Sequence, residues 1–188
     1  MNDSNDKIWH RPIVIIIAGC LIAVIGFGAR SVLGLFLEPM TVAHGWDRET
    51  FALALAIQNL MWGLCMPLAG AIADRHGPVR IIAAGALIYA AGIWGMAQST
   101  SPLGLHLFGG LLTGLGVAFT GFSLALAAMA RVVGPEKRSL VFGLGTAAGS
   151  MGQVLFSPIS QGFITAYGWH FSLMMLAASS LLLIPLAL

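Results

Sequence analysis

The chain has 188 residues, of which 58% are hydrophobic and only 9% charged, against roughly a quarter charged in soluble domains. A soluble core of this size has nowhere to hide so much apolar surface, so composition defines an integral membrane protein. The formal net charge of +2 says little; where the charges sit says much more.

Met1 to Arg11 is a short polar head carrying Lys7 and Arg11. Six apolar runs follow, at 13–37, 51–73, 79–97, 103–130, 139–166 and 171–188. Each is near or above the ~20 residues a helix needs to cross the hydrocarbon. The fold expected is therefore an all-α membrane bundle of six transmembrane helices. The first run is too long for the roughly 7–15-residue core of a cleavable signal, so it is expected to stay in the mature protein. Between the first and second runs, 38–50 reads as a connector, with Pro39, Gly45 and the triplet Asp47, Arg48 and Glu49. The fourth and fifth runs are the longest, and Pro158 marks an expected kink. Cys20 and Cys65 lie inside apolar runs and read as small packed residues, not as a disulfide or metal site.

An even number of spans puts both chain ends on one side, with the loops at 74–80 and 131–138. That side holds Lys7, Arg11, Arg75, Arg80, Arg131, Lys137 and Arg138, whereas the other holds only Arg48. By the positive-inside bias the richer side is cytoplasmic, and the protein is expected in the cytoplasmic (inner) membrane. A weak internal repeat accompanies this layout. Ala43-His44-Gly45-Trp46 precedes the second run and Ala166-Tyr167-Gly168-Trp169 the sixth. Interfacial anchoring by Trp explains the pair about as well as a duplication of three spans.

The stretch from Gly70 to Arg80 concentrates Asp74, Arg75, His76 and Arg80 in a short turn between two apolar runs. Gly77-Pro78 suits the tight reversal of a helical hairpin. The pattern G-x-x-x-D-R-x-G, spanning Gly70, Asp74, Arg75 and Gly77, resembles the loop between the second and third spans of major facilitator superfamily transporters. Val79 stands where a basic residue is usual, and Arg80 follows it. The resemblance implies the first six-span half of a carrier, completed by a second half or by a second copy of this chain. It also implies that Gly70, Asp74, Arg75, Gly77 and Arg80 take part in conformational gating. Asp74 would latch onto a helix amino end in the second half; the alternative is pairing inside its own loop, with Arg75 or Arg80.

Apart from Arg80 at the very start of the third run, Arg30 is the one charge inside an apolar run. Such a charge costs at least ~2.5–3.5 kcal/mol on insertion scales, so it normally faces water, a partner or a substrate. Counted from the ends of their runs, Gln58 and Asn59 reach a similar depth on the neighbouring helix. A guanidinium beside two amides can hold a carboxylate through a two-bond fork and neutral donors. The alternatives are that Arg30 snorkels outward or pairs with Glu38, while the amides lock helices together. Arg30 through Glu38 also resembles the outer part of the first span in monocarboxylate porters and oxalate–formate antiporter relatives. There a basic residue followed by Ser takes part in anion or proton handling.

In the fifth run Thr146, Ser150, Gln153, Ser157 and Gln161 share one helical face, and Gly145, Gly149 and Gly152 a neighbouring one. This reads as a wet stripe, with Gln153 as a further substrate contact, beside a tightly packed one. Interhelical hydrogen bonding is the alternative. His106, Thr113 and Thr120 recur every seven residues and could form a similar stripe, with His106 nearer the outer interface. Nothing resembles a phosphate-cradling loop, a zinc set or a nucleophile triad, so no enzyme, cofactor or nucleic-acid partner is expected.

The function expected is secondary transport of a small organic anion, monocarboxylate-like, across the bilayer, with protons as a possible coupling ion. Proton-driven export of drugs or metabolites, a channel, and a non-transporting scaffold half are the alternatives. Topology is directly testable. Single cysteines at Ser4, His76 and Ser139 should resist an impermeant thiol reagent in intact cells, and ready labelling at His76 would overturn the layout.

Overall fold

The computed structural model describes residues 12–188, and every regular element among them is helical. Lys7, Arg11 and the labelling position Ser4 lie outside the described residues. Lipid leaves few alternatives, because each segment must hydrogen-bond its own backbone.

The first span starts as α1 (Pro12–Ser31), passes through a tight 3-10 turn at Leu33–Phe36, and resumes as α2 (Leu37–His44). The connector expected at 38–50 is thus largely helix, and the true loop is only Gly45 to Asp47. Pro39 does not stop α2, because it sits in the first turn, where its missing N–H has no partner to lose. Glu38 lies in the same turn, at the positive end of the dipole. Gly45 ends the helix with φ of 65°, its N–H bonded to the Thr41 carbonyl.

The second span, α3 (Arg48–His76), extends past both expected ends and carries Pro67 in its interior. Gly77 then adopts φ of 86°, and Pro78 opens α4 (Pro78–Gln98), which gives the hairpin its reversal. The fourth span is not one helix. It runs as α5 (Pro102–Leu105), a wider π-type stretch at His106–Leu112, α6 (Thr113–Phe119), a break at Thr120 and Gly121, and α7 (Phe122–Arg131). Thr113 reinforces the wide stretch, its hydroxyl donating to the Phe108 carbonyl at 2.7 Å.

After a 3-10 turn at Pro135–Lys137 comes α8 (Arg138–Leu181), followed by α9 (Leu183–Ala187). Pro158 lies inside α8 without leaving helical geometry, whereas Gly168, at φ 83° and ψ 165°, divides it into two arms. By length and composition the described residues hold five stretches apolar enough to cross a membrane, the last of them 53 residues long. That stretch is about 80 Å at 1.5 Å per residue, far beyond one crossing. Its two arms also run in opposite directions. Trp169 packs edge-on against His44 at 5.5 Å, while Leu186 to Leu188 border a cavity with Val14, Pro78 and Arg131.

The arms of α8 hold the bundle together by close backbone approach. Gly145, Gly149 and Gly152 are buried, while Thr146, Ser150, Gln153, Ser157 and Gln161 are exposed, so the two faces separate as their spacing indicates. At Gly152 a Cβ would stand 2.2 Å from the Val24 carbonyl oxygen of α1. Across the bundle, a Cβ at Gly116 would fall 2.5 Å from the Tyr89 backbone. Tyr89, Phe36, Phe51, Leu33 and Leu173 fill the centre, fully buried.

Gly152→Ala should therefore destabilise the purified chain by about 1–3 kcal/mol, because the obstacle is backbone that cannot swing aside. Gly143→Ala, with nothing within 4 Å of its would-be Cβ, should be neutral or slightly stabilising through helix propensity. Thermal unfolding in one detergent compares the two, and equal effects would refute the packing account.

Candidate functional site

Because the first span continues to His44, Arg30 lies deeper than its distance from Leu37 suggests. It sits fourteen residues before the end of α2, roughly 20 Å at 1.5 Å per residue. Asn59 sits eleven residues into α3, roughly 16 Å along it. The two side chains meet there: Arg30 Nη2 donates to Asn59 Oδ1. Asn59 is itself oriented, its Nδ2 donating to the Leu55 carbonyl at 2.8 Å. One turn further along α3, the Trp62 ring lies under the guanidinium, 4.2 Å from its carbon to the ring centroid. Such a contact contributes roughly 0.5–2 kcal/mol, depending on desolvation.

Among the described residues Arg30 has no carboxylate partner; the one ion pair joins Asp74 to Arg131. The Glu38 alternative is therefore not what forms. Gln58 does not join Asn59 at the guanidinium. It is buried at 2% exposure where α3 presses on Gly114 of α6, and no hydrogen bond links it to Arg30. Adjacent residues on a helix point about 100° apart, so one amide faces Arg30 and the other faces α6.

Arg30 borders a pocket of about 70 Å³ with Ile22, Gly26, Phe27, Trp62, Thr120 and Ser123. That is room for several waters, each needing roughly 10–15 Å³. Phe27 stacks edge-on against both Trp62, at 6.5 Å, and Phe122, at 5.0 Å, which makes one side aromatic. The other side is the fourth span at its break. Phe122 and Ser123 open α7 there, and the first amides of a helix lack intrahelical partners. A guanidinium and the positive end of a helix dipole thus border one small pocket, a field that favours an anion. Gln153 lies on the exposed face of α8 and is not among the residues lining this pocket.

Thr113 and Thr120 are buried and spend their hydroxyls on their own helix, on Phe108 and Gly116 respectively. They form no wet stripe with His106. His106 Nε2 pairs at 2.9 Å with the Thr50 carbonyl, tying the fourth span to the start of α3.

At the other end of the bundle Asp74 pairs with Arg131, at the end of α7, at 3.3 Å. Neither Arg75 nor Arg80 takes that place; both are exposed. Gly70, Asp74, Pro78, Ser123 and Arg131 surround a second pocket, of about 240 Å³. Arg131 had a sequence signal, a basic residue closing the fourth apolar run on the same face as Asp74. Trp62 had a subtler one, an aromatic three residues beyond Asn59 and so on the same helical face.

These features define a polytopic α-helical membrane protein with a charged site inside its bundle. The chain matches the Major Facilitator Superfamily over residues 19–188, and it belongs to that superfamily. Among curated relatives, monocarboxylate transporter 13 of Rattus norvegicus is 27% identical over 158 residues, covering 84% of this chain and 36% of that protein. Monocarboxylate transporter 11 of Mus musculus is 30% identical over 178 residues, covering 90% of this chain and 38% of that protein. The chain thus spans little more than a third of the relatives' length. In structure it is similar to the xylose transporter XylE from E. coli in an inward-open conformation. The TM-score is 0.78 at 13% identity, over 94% of this chain and 48% of that one. At that identity the likeness speaks for the fold alone.

The Asp74–Arg131 pair is well exposed on both sides, at 74% and 63%. Exposed pairs contribute roughly 0–1 kcal/mol. Asp74→Asn should consequently shift thermal unfolding of this chain by no more than that, and a loss of several kcal/mol would make Asp74 a folding residue.

Proposed function

We propose that this chain is the amino-terminal half of a secondary carrier that moves a small, monocarboxylate-like anion by alternating access. The membrane is the cytoplasmic one, with the chain's amino terminus on the cytoplasmic side. The two arms of α8, reversing at Gly168, serve as the fifth and sixth crossings. A second six-span half, or a second copy of this chain, closes the open side of the Arg30 pocket. Protons are one candidate for the coupling ion.

One observation carries the reading: Arg30 is held between Asn59 and Trp62, with no acid among the described residues to neutralise it. Both anchors are uncharged, so the guanidinium keeps its full charge for a ligand. Asn59 occupies one nitrogen from the side and Trp62 covers one face, which leaves donors on the remaining edge for a carboxylate. The monocarboxylate transporters among the relatives point to the same chemical class.

Gating falls to the other end of the bundle. Asp74 in α3 and Arg131 at the end of α7 join two helices that also reach the Arg30 pocket, through Trp62 and Ser123. Gly70, Arg75, Gly77 and Arg80 frame that turn. In the proposed latch, Asp74 engages a helix amino end of the second half when the cytoplasmic side closes, and Arg131 orients its carboxylate. The latch requires Asp74→Asn to change transport much more than it changes stability.

In the chain assembled with its second half, Arg30→Gln should lower uptake of a labelled short monocarboxylate by about 10- to 100-fold. That range corresponds to loss of one charge-assisted hydrogen-bonding group. Arg30→Lys keeps the charge without the planar fork and should fall between. Both variants should reach the membrane in normal amounts. Normal uptake by Arg30→Gln would end the anion assignment.

A further inference from the structure

Two side-chain polar atoms among the described residues are buried and find no hydrogen-bond partner in the protein: Arg30 Nε and Tyr89 Oη. They are not remote from each other. Ala29, next to Arg30, shares a core cluster with Tyr89. Tyr89 itself is 0% exposed. Its backbone is fixed against Gly116, and the following residue, Val117, lines the Arg30 pocket. Tyr89 therefore packs against the segment of α6 that borders the Arg30 pocket.

A buried donor or acceptor left unsatisfied costs roughly 1–3 kcal/mol, and folded proteins keep very few of them. Two in one neighbourhood, one belonging to the functional cation, share a simple solution. Buried water commonly bridges polar groups that cannot reach each other directly. We propose that Tyr89 is a positioning residue for the Arg30 site, its hydroxyl and Arg30 Nε sharing one buried water. Arg30 Nε–H donates to the water oxygen, and the Tyr89 hydroxyl donates to it or accepts from it.

The guanidinium is then held on three sides. Trp62 fixes its face, Asn59 fixes Nη2, and the water fixes the inner nitrogen, so the plane cannot rotate about its long axis. What remains free is one edge, aimed at the pocket. The consequence for ligand binding rests on the anion reading above; the link between Tyr89 and Arg30 does not.

The test separates the two. Tyr89→Phe removes one oxygen and leaves the ring. If the hydroxyl has no partner, deleting it leaves the melting temperature unchanged or raises it, which would overturn the proposal. If the shared water is present, Tyr89→Phe lowers the melting temperature of the purified chain by about 2–4 °C. That loss must also depend on Arg30. In an Arg30→Met background, or in Arg30→Lys should the first not fold, Tyr89→Phe should cost less than half as much. An equal loss in both backgrounds would refute the link. With the second half present, Tyr89→Phe should raise KM for a short monocarboxylate several-fold while kcat holds. If the thermal coupling stands and no variant affects anion transport, the proposed substrate falls and the Tyr89–Arg30 link survives.

Discussion

A guanidinium halfway along an apolar helix has to be solvated by something other than lipid. In this bundle the solvation comes mainly from α3, which supplies the Asn59 carbonyl oxygen and the Trp62 ring from one helical face. That choice of neutral partners has consequences beyond the site. A carboxylate in their place would have neutralised Arg30 and made the pair a structural element. Neutral partners hold the group without satisfying its charge, so among the described residues no counter-charge offsets it. The first two spans must then stay in fixed register, since a slip of one residue on α3 would turn Asn59 and Trp62 away together.

Register is kept by contact between backbones. In lipid the hydrophobic effect does not draw helices together, so close approach, dispersion and interhelical hydrogen bonds must do it. The glycine face of α8 on α1, Gly116 on Tyr89 and Gly114 on Gln58 all bring one helix against the backbone of another. The bundle's rigidity is thus spread over small residues. Outside the buried centre, other large apolar side chains, such as Leu60, Leu64 and Val154, are exposed on the described surface. In a membrane those faces meet lipid or another protein surface.

Much of this was legible in the chain because it rests on local rules. Apolar length sets the helices, Gly77-Pro78 sets the hairpin, and a step of three and four residues sorts Gly145, Gly149 and Gly152 from Thr146, Ser150 and Gln153. Arg30 and Asn59 could be matched because depth in a bundle follows from counting. Angular direction was harder. Gln58 and Asn59 are equally deep, and only the packing against Gly114 decides which of them faces the guanidinium. The helical course of α2 was hidden because Pro39 and Glu38 read as loop residues, although both are at home in a first helical turn. The break at Thr120 and Gly121 left no mark in hydropathy, since every residue around it is apolar or small. The Asp74–Arg131 contact joins residues 57 positions apart, which no local pattern specifies.

That break also changes how the fourth span behaves as a mechanical part. Its outer portion, α6, packs on α3 and α4, whereas α7 beyond the break packs on α1 and α8. One span therefore belongs to two different helix groups, and its weakest backbone lies where they meet. Irregular backbone at membrane depth is tolerated where it borders a polar cavity, and Thr120, Phe122 and Ser123 border the one that holds Arg30. The charge and the broken ladder are two unmet hydration demands placed at one spot, where the pocket has room for a few waters to serve both. Whatever ligand displaces that solvent has to settle the account of the peptide groups as well as that of the cation. On the proposed reading, a solute bound there would act as a splint across the joint between the two helix groups.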